Sequence, residues 1–152
     1  MDDLLDLLRT SPDLGPLPNE ILAALSHGLV REQIAPREVI VREGERAKAV
    51  YLVISGKVQV VRLRGTQEHR LNVVSPGDWF GLIAMVSAGP RSATCRAVDA
   101  AEIGVLGASA FSLLFNAHAD LCLAFQKALG RQLARDFRNL DRQIRAELDA
   151  GA

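Results

Sequence analysis

Between residues 34 and 107 the apolar residues fall into short β-branched runs separated by turn signals. The runs are Glu38–Arg42, Ala49–Ile54, Lys57–Leu63, Arg70–Val74, Thr94–Val98 and Glu102–Leu106. Between them stand Glu43-Gly44-Glu45, Ser55-Gly56, Arg64-Gly65-Thr66 and Pro76-Gly77-Asp78. Segments this short, recurring about every ten residues, leave no room for crossover helices and predict a small antiparallel barrel or jelly roll. Val58 and Val60 alternate as one buried face would require.

The flanks are helical in pattern. Leu4, Leu5, Leu7 and Leu8 open the chain, Ser11-Pro12-Asp13 interrupts them, and Pro18 can start a helix carrying Ile21, Leu22, Leu25 and Leu29. A short amphipathic helix is expected over Ala108–Phe115, capped by Ser109. A much longer one follows from Asp120 to near Asp149. On it Leu129, Leu133, Phe137, Leu140, Ile144 and Leu148 form a single stripe. A helix about 45 Å long cannot hide that stripe against a small barrel, so its distal half needs a partner, most simply an identical helix. The expected fold is α+β and mainly β. It has an N-terminal helical segment (1–33), a β-roll core (34–107) and C-terminal helices (108–152) at a homodimer interface.

Composition narrows the function classes. Eighteen basic residues balance eighteen acidic ones, which argues against general affinity for nucleic acid or an anionic membrane. The acidic N-terminus and the absence of a long apolar run predict a cytoplasmic protein. Cys95 and Cys122 match no metal spacing and are expected as buried free thiols. His69 is the only histidine in the barrel region, too little for a cupin-like metal site, and no nucleophile–base pair stands out. No catalysis and no cofactor are expected.

Residues 76–97, PGDWFGLIAMVSAGPRSATCRA, carry the functional signal. Gly81 lets backbone come close, the apolar turn Leu82-Ile83-Ala84-Met85 can start a helix with free N–H groups, and Arg91 supplies a fork of donors. Such a layout can cradle one compact anion.

Two linked motifs give the chain a family likeness. The first is Ile40-Val41-Arg42-Glu43-Gly44-Glu45-Arg46-Ala47 with Val50-Tyr51-Leu52-Val53 and Ser55-Gly56. The second is Phe80-Gly81-Leu82-Ile83-Ala84-Met85 with Arg91-Ser92-Ala93-Thr94. Together they resemble the cyclic-nucleotide-binding domain of catabolite-activator-type regulators, kinase regulatory subunits and gated channels. The resemblance implies that 76–97 is the phosphate-binding cassette. In that reading the backbone near Ile83, Ala84, Ser92 and Ala93 approaches the cyclic phosphate, and Arg91 pairs with an exocyclic oxygen. The Ser92 hydroxyl reaches phosphate or base, while Gly44 and Gly56 only turn the chain. Arg135, Arg138 or Asn139 of the long helix would cap the base. Ser92 in place of threonine leans toward cyclic AMP over cyclic GMP.

One position departs from the pattern. Where the family carries a glutamate that accepts the ribose 2′-hydroxyl, this chain has Leu82, which has no acceptor. Losing a hydrogen bond to a charged group, worth about 1.5–3 kcal/mol, weakens binding roughly 10- to 100-fold. The resulting expectation is a regulatory sensor with a weak or altered cyclic-nucleotide site, signalling through its long helix to a separate effector. The competing one is a ligand-independent dimerisation or interaction module. The chain stops directly after the long helix, so a stand-alone module without a helix-turn-helix is expected.

Overall fold

A computed structural model describes residues 3–87 and 89–150, leaving aside the side chains of Ile83, Val86, Ser87, Asp136, Leu140 and Gln143. The expected stripe position Leu140 therefore lies outside the described side chains. Two helices open the chain, α1 (Asp3–Arg9) and α2 (Asn19–Gly28), the second starting directly after Pro18. The roll follows as β1 (Val30–Ile34), β2 (Val39–Val41), β3 (Ala49–Ser55), β4 (Val58–Arg64), β5 (Gln67–Val74) and β6 (Trp79–Phe80). A short α3 (Leu82–Ser87) precedes β7 (Thr94–Ala97) and β8 (Ala101–Gly107). Helices α4 (Ala108–Ala117) and α5 (Ala119–Ala150) close the chain.

The strands form two four-stranded antiparallel sheets, ordered β1-β8-β3-β6 and β2-β7-β4-β5. β3 is buried on both sides, which explains its unbroken apolar run. Val50 and Leu52 face a cluster built with the helices, containing Leu8, Leu22, Leu25, Leu121 and Phe125. Val53 and its neighbour Tyr51 face the roll interior with Val58, Phe80, Cys95 and Ile103. The two-residue β6 splits in the same way, Trp79 to the helix side and Phe80 to the interior. Gly56, at φ +79°, turns between β3 and β4 where a Cβ would meet the Ala100 carbonyl oxygen at 2.6 Å.

Several expectations are corrected. The N-terminal segment is not helical to residue 33, because Val30–Ile34 is a strand paired with β8 along its length. It is an edge strand with only Ile34 buried, so it carries no apolar alternation. Val58 and Val60 do share the interior face, Val60 packing against the cluster around Val58, but the alternation ends at a bulge between Val60 and Val61, where Val61 is buried as well. Gly107, not Ser109, occupies the cap of α4, with no side-chain cap hydrogen bond. Cys95 is buried, but Cys122 is only half-buried.

Helix α5 is tied to the rest of the molecule by polar contacts over its middle third, from Arg131 to Asn139. Arg131 pairs with Asp13 at 3.0 Å and Arg135 with Asp78 at 3.6 Å. Gln132 Nε2 donates to the Trp79 carbonyl at 3.1 Å, and Asn139 Nδ2 to Asn72 Oδ1 at 3.4 Å. Leu133, Phe137, Ile144 and Leu148 are exposed. At 100° per residue those four lie on the helix side opposite Arg131, Arg135 and Arg138. The distal helix thus turns arginines toward the roll and leucine, isoleucine and phenylalanine toward solvent. Among the described residues no single helix is long and apolar enough to cross a membrane.

Candidate functional site: the cassette between β6 and β7

The first motif grips the second. The Arg91 N–H donates to the Glu45 carbonyl at 2.7 Å, and the Gly44 N–H donates to the Arg91 carbonyl at 2.9 Å. The Glu43 N–H donates to Thr94 Oγ1 at 2.9 Å. The tight turn at Gly44 (φ +87°) is therefore the clamp that fixes where the Arg91 side chain starts.

From that anchor the Arg91 side chain runs inward and is 5% exposed. Its Nη1 donates to the Gly81 carbonyl at 3.0 Å and its Nη2 to the Ala49 carbonyl at 2.8 Å. The guanidinium carbon lies 5.5 Å from the centroid of the Tyr51 ring, which itself stacks on Phe80. Burial holds the Tyr51 phenol above its ordinary pKa, and the Arg91 charge opposes that shift. Two of the five guanidinium N–H donors are thus taken by carbonyls, and an anion in the cavity would meet the rest.

Gly81 makes this arrangement possible. At φ +82° it turns β6 into α3, and a Cβ there would lie 2.6 Å from Arg91 Nη1. A single cavity of about 70 Å³ is lined by Gly81, Leu82, Ala84, Arg91, Ser92 and Ala93. Ala93 is buried and Ser92 exposed, its carbonyl accepting from Arg62 Nε at 3.1 Å. The Ile83 side chain lies outside the described residues. Pockets that hold drug-sized ligands enclose about 300–1,000 Å³, so this cavity is small by comparison.

Leu82 is 2% exposed and belongs to the helix-side cluster with Trp79 while also touching the cassette cavity. Its place is thus set by packing between α3 and the helices. The three expected cap residues do not line the cassette cavity itself, though the cavity beside it shares Leu82 and Gln132 with it. Arg135 and Arg138 line a larger neighbouring cavity, and Asn139 lines a groove beside β5. Gln132 is the α5 residue that lines the cassette cavity, three residues before Arg135. Nothing in the sequence singles it out, since its position depends on the direction in which α5 leaves α4. Among the described residues no group of three or more His, Cys, Asp or Glu could hold a metal.

The model of the cyclic nucleotide-binding domain matches residues 31–118. The chain is 32% identical over 116 residues to a cAMP-dependent protein kinase regulatory subunit of Debaryomyces hansenii, covering 76% of this chain and 25% of that protein. It is 36% identical over 91 residues to the cyclic AMP receptor protein of Thermus thermophilus, covering 59% and 41%. It thus spans well under half the length of these two relatives. Among solved structures, a cyclic nucleotide-binding domain from Methylobacillus flagellatus superposes with a TM-score of 0.81 at 18% identity, covering 93% of this chain and 82% of that one. That likeness is one of fold. The family match takes in both motifs and more than half of the sequence, and on that ground the chain belongs to the cyclic nucleotide-binding domain family.

Proposed function

We propose that this chain is a regulatory sensor that binds a cyclic mononucleotide weakly and reports occupancy through α5. The observation that carries the reading is the single cavity uniting Gly81, Ala84, Arg91, Ser92 and Ala93, with Gln132 of α5 in its wall. A phosphate there would meet Arg91 and the backbone around Ser92 and Ala93. Cyclic AMP is favoured over cyclic GMP, because the relatives are named for cyclic AMP. A nucleotide needs more room than about 70 Å³. Binding therefore moves Gln132 and α5 outward, while Arg91 can keep its bonds to the Gly81 and Ala49 carbonyls and offer its other N–H donors to the phosphate. The apolar face of α5 pairs with that of a second copy, and the helix pair passes the displacement to a separate effector protein.

Titration calorimetry with cyclic AMP, cyclic GMP and cyclic di-GMP tests this. A dissociation constant of tens to hundreds of micromolar for cyclic AMP is expected, lost in Arg91→Ala when thermal melting shows that variant still folded. No heat with any of the three would sink the sensor reading. It would favour the second reading, a ligand-independent dimerisation module. The small size of the cassette cavity, with Arg91 already bonded to two carbonyls, is the observation that favours that alternative.

A further inference from the structure

A second, larger cavity of about 510 Å³ lies on the other side of Leu82, between the turn after α1, the turn at Gly77 and α5. Its size is within the range of small-molecule sites. Arg131, Arg135 and Arg138 line it together with Asp13 and Asp78. Asp13 is taken by Arg131 at 3.0 Å and Asp78 by Arg135 at 3.6 Å. Arg138 has no partner among the described residues, so the cavity keeps one uncompensated positive charge. Part of its wall is apolar, from Trp79 and Leu82. The indole N–H of Trp79 is buried without an acceptor among the described residues.

We propose that this cavity is a second binding site, for a small organic anion with a flat apolar body. Its carboxylate or phosphate head meets Arg138 and Arg135, and its body lies against Trp79 and Leu82. An arginine fork suits either head group. Leu82 keeps a carboxylate out of the shared wall, where it would repel such a ligand. The cavity lies on the α5 side opposite Phe137 and Ile144, so pairing of the apolar face leaves it open. The inference does not depend on the cassette binding a nucleotide.

Trp79 is the only tryptophan in the chain, so its fluorescence reports on this cavity directly. Phenyl phosphate and benzoate, one for each head group, are titrated against the intact protein, with inorganic phosphate in parallel. A saturable change with at least one aromatic anion is expected, at lower concentration than with inorganic phosphate. Arg138→Gln raises the midpoint about tenfold or more, and Arg142→Gln, an exposed arginine outside the cavity, leaves it unchanged. The proposal is overturned by no saturable change up to about 10 mM, by equal weakening in both variants, or by inorganic phosphate binding as tightly.

Discussion

The Arg91 guanidinium donates to the Gly81 carbonyl at 3.0 Å, so the two residues that define the cassette are bound to each other before any ligand arrives. Arg91 is therefore a stability element as well as a candidate phosphate ligand. Its two bonds to carbonyls are charge-assisted, and such bonds contribute about 1.5–3 kcal/mol each. Arg91→Ala is expected to cost about 2–4 kcal/mol without ligand, lowering the melting temperature by roughly 5–15 °C for a chain of this size. Arg91→Lys, a point charge that cannot reproduce the fork, falls between. Differential scanning calorimetry decides it, and a melting point unchanged in Arg91→Ala would contradict the geometry.

Gly81→Ala probes the same contact from its other end. The new methyl meets Arg91 Nη1 at 2.6 Å and the Tyr51 ring at 3.3 Å, on a backbone at φ +82°. The guanidinium is the flexible partner and gives way, while the left-handed backbone adds about 1–2 kcal/mol. Because both single variants break the Arg91–Gly81 bond, the double variant Gly81→Ala/Arg91→Ala is expected to cost about 1 kcal/mol less than their sum. Denaturant unfolding of the four proteins measures this, and strict additivity would place Arg91 elsewhere.

The positions legible in the sequence are those whose reason is local. Gly44, Gly56 and Gly81 announce turns because no other residue takes their backbone angles cheaply, and the spacing from Gly81 to Arg91 carries the cassette. β3 and β4 are visible because their apolar runs are dense. β1 is not, because an edge strand reading Val-Arg-Glu-Gln-Ile buries only its last residue. The bulge at Val60 and Val61 appears only in the pairing of β4 with β5 and has no signal in β4 itself. Leu82 and Gln132 are further beyond reach. What each touches is fixed by how α1, α2 and α5 settle on the roll, a matter of long-range packing.

Leu82→Glu restores the family residue, but not a working ribose site. The side chain at this position is 2% exposed among Trp79 and the helix-side leucines. A carboxylate placed there has its pKa raised by burial, at a cost of about 4 kcal/mol or more at neutral pH. The sign follows from that shift. Relative to the parent protein, the variant recovers stability as pH falls through the raised pKa and the carboxyl becomes neutral. Urea unfolding at pH 7 and pH 5 checks both parts. A loss below about 1 kcal/mol, together with tighter cyclic AMP binding, would mean that residue 82 turns into the roll.

Tyr51 predicts the alkaline behaviour. Burial raises its phenol pKa above the ordinary 10.0 despite the nearby Arg91 charge. A raised folded pKa stabilises fully below the unfolded value and drains away as pH climbs through the folded one. The parent protein should therefore lose stability above about pH 10 faster than Tyr51→Phe, which keeps the ring against Phe80 and Arg91. Tyr51 is the only tyrosine, so tyrosinate absorbance titrates this one group. A midpoint at or below 10.0 would refute the burial argument.

Phe137 is 70% exposed and Leu148 69%, on a helix side that turns away from the roll. Ile144 between them and Leu133 one turn before Phe137 belong to the same stripe, 46% and 47% exposed. Burying a large apolar side chain gains about 1.5–3 kcal/mol, and each is buried twice when two copies of α5 meet. Light scattering is therefore expected to report a dimer at micromolar concentration. Phe137→Glu puts like charges near the pair axis and should shift the protein to monomer. Thermal melting of the monomeric roll should change little, because Phe137 contributes nothing to the cores around Phe80 and Leu121. A parent protein that is monomeric at micromolar concentration would refute the pairing. A dimer unaffected by Phe137→Glu would move the interface off this stripe.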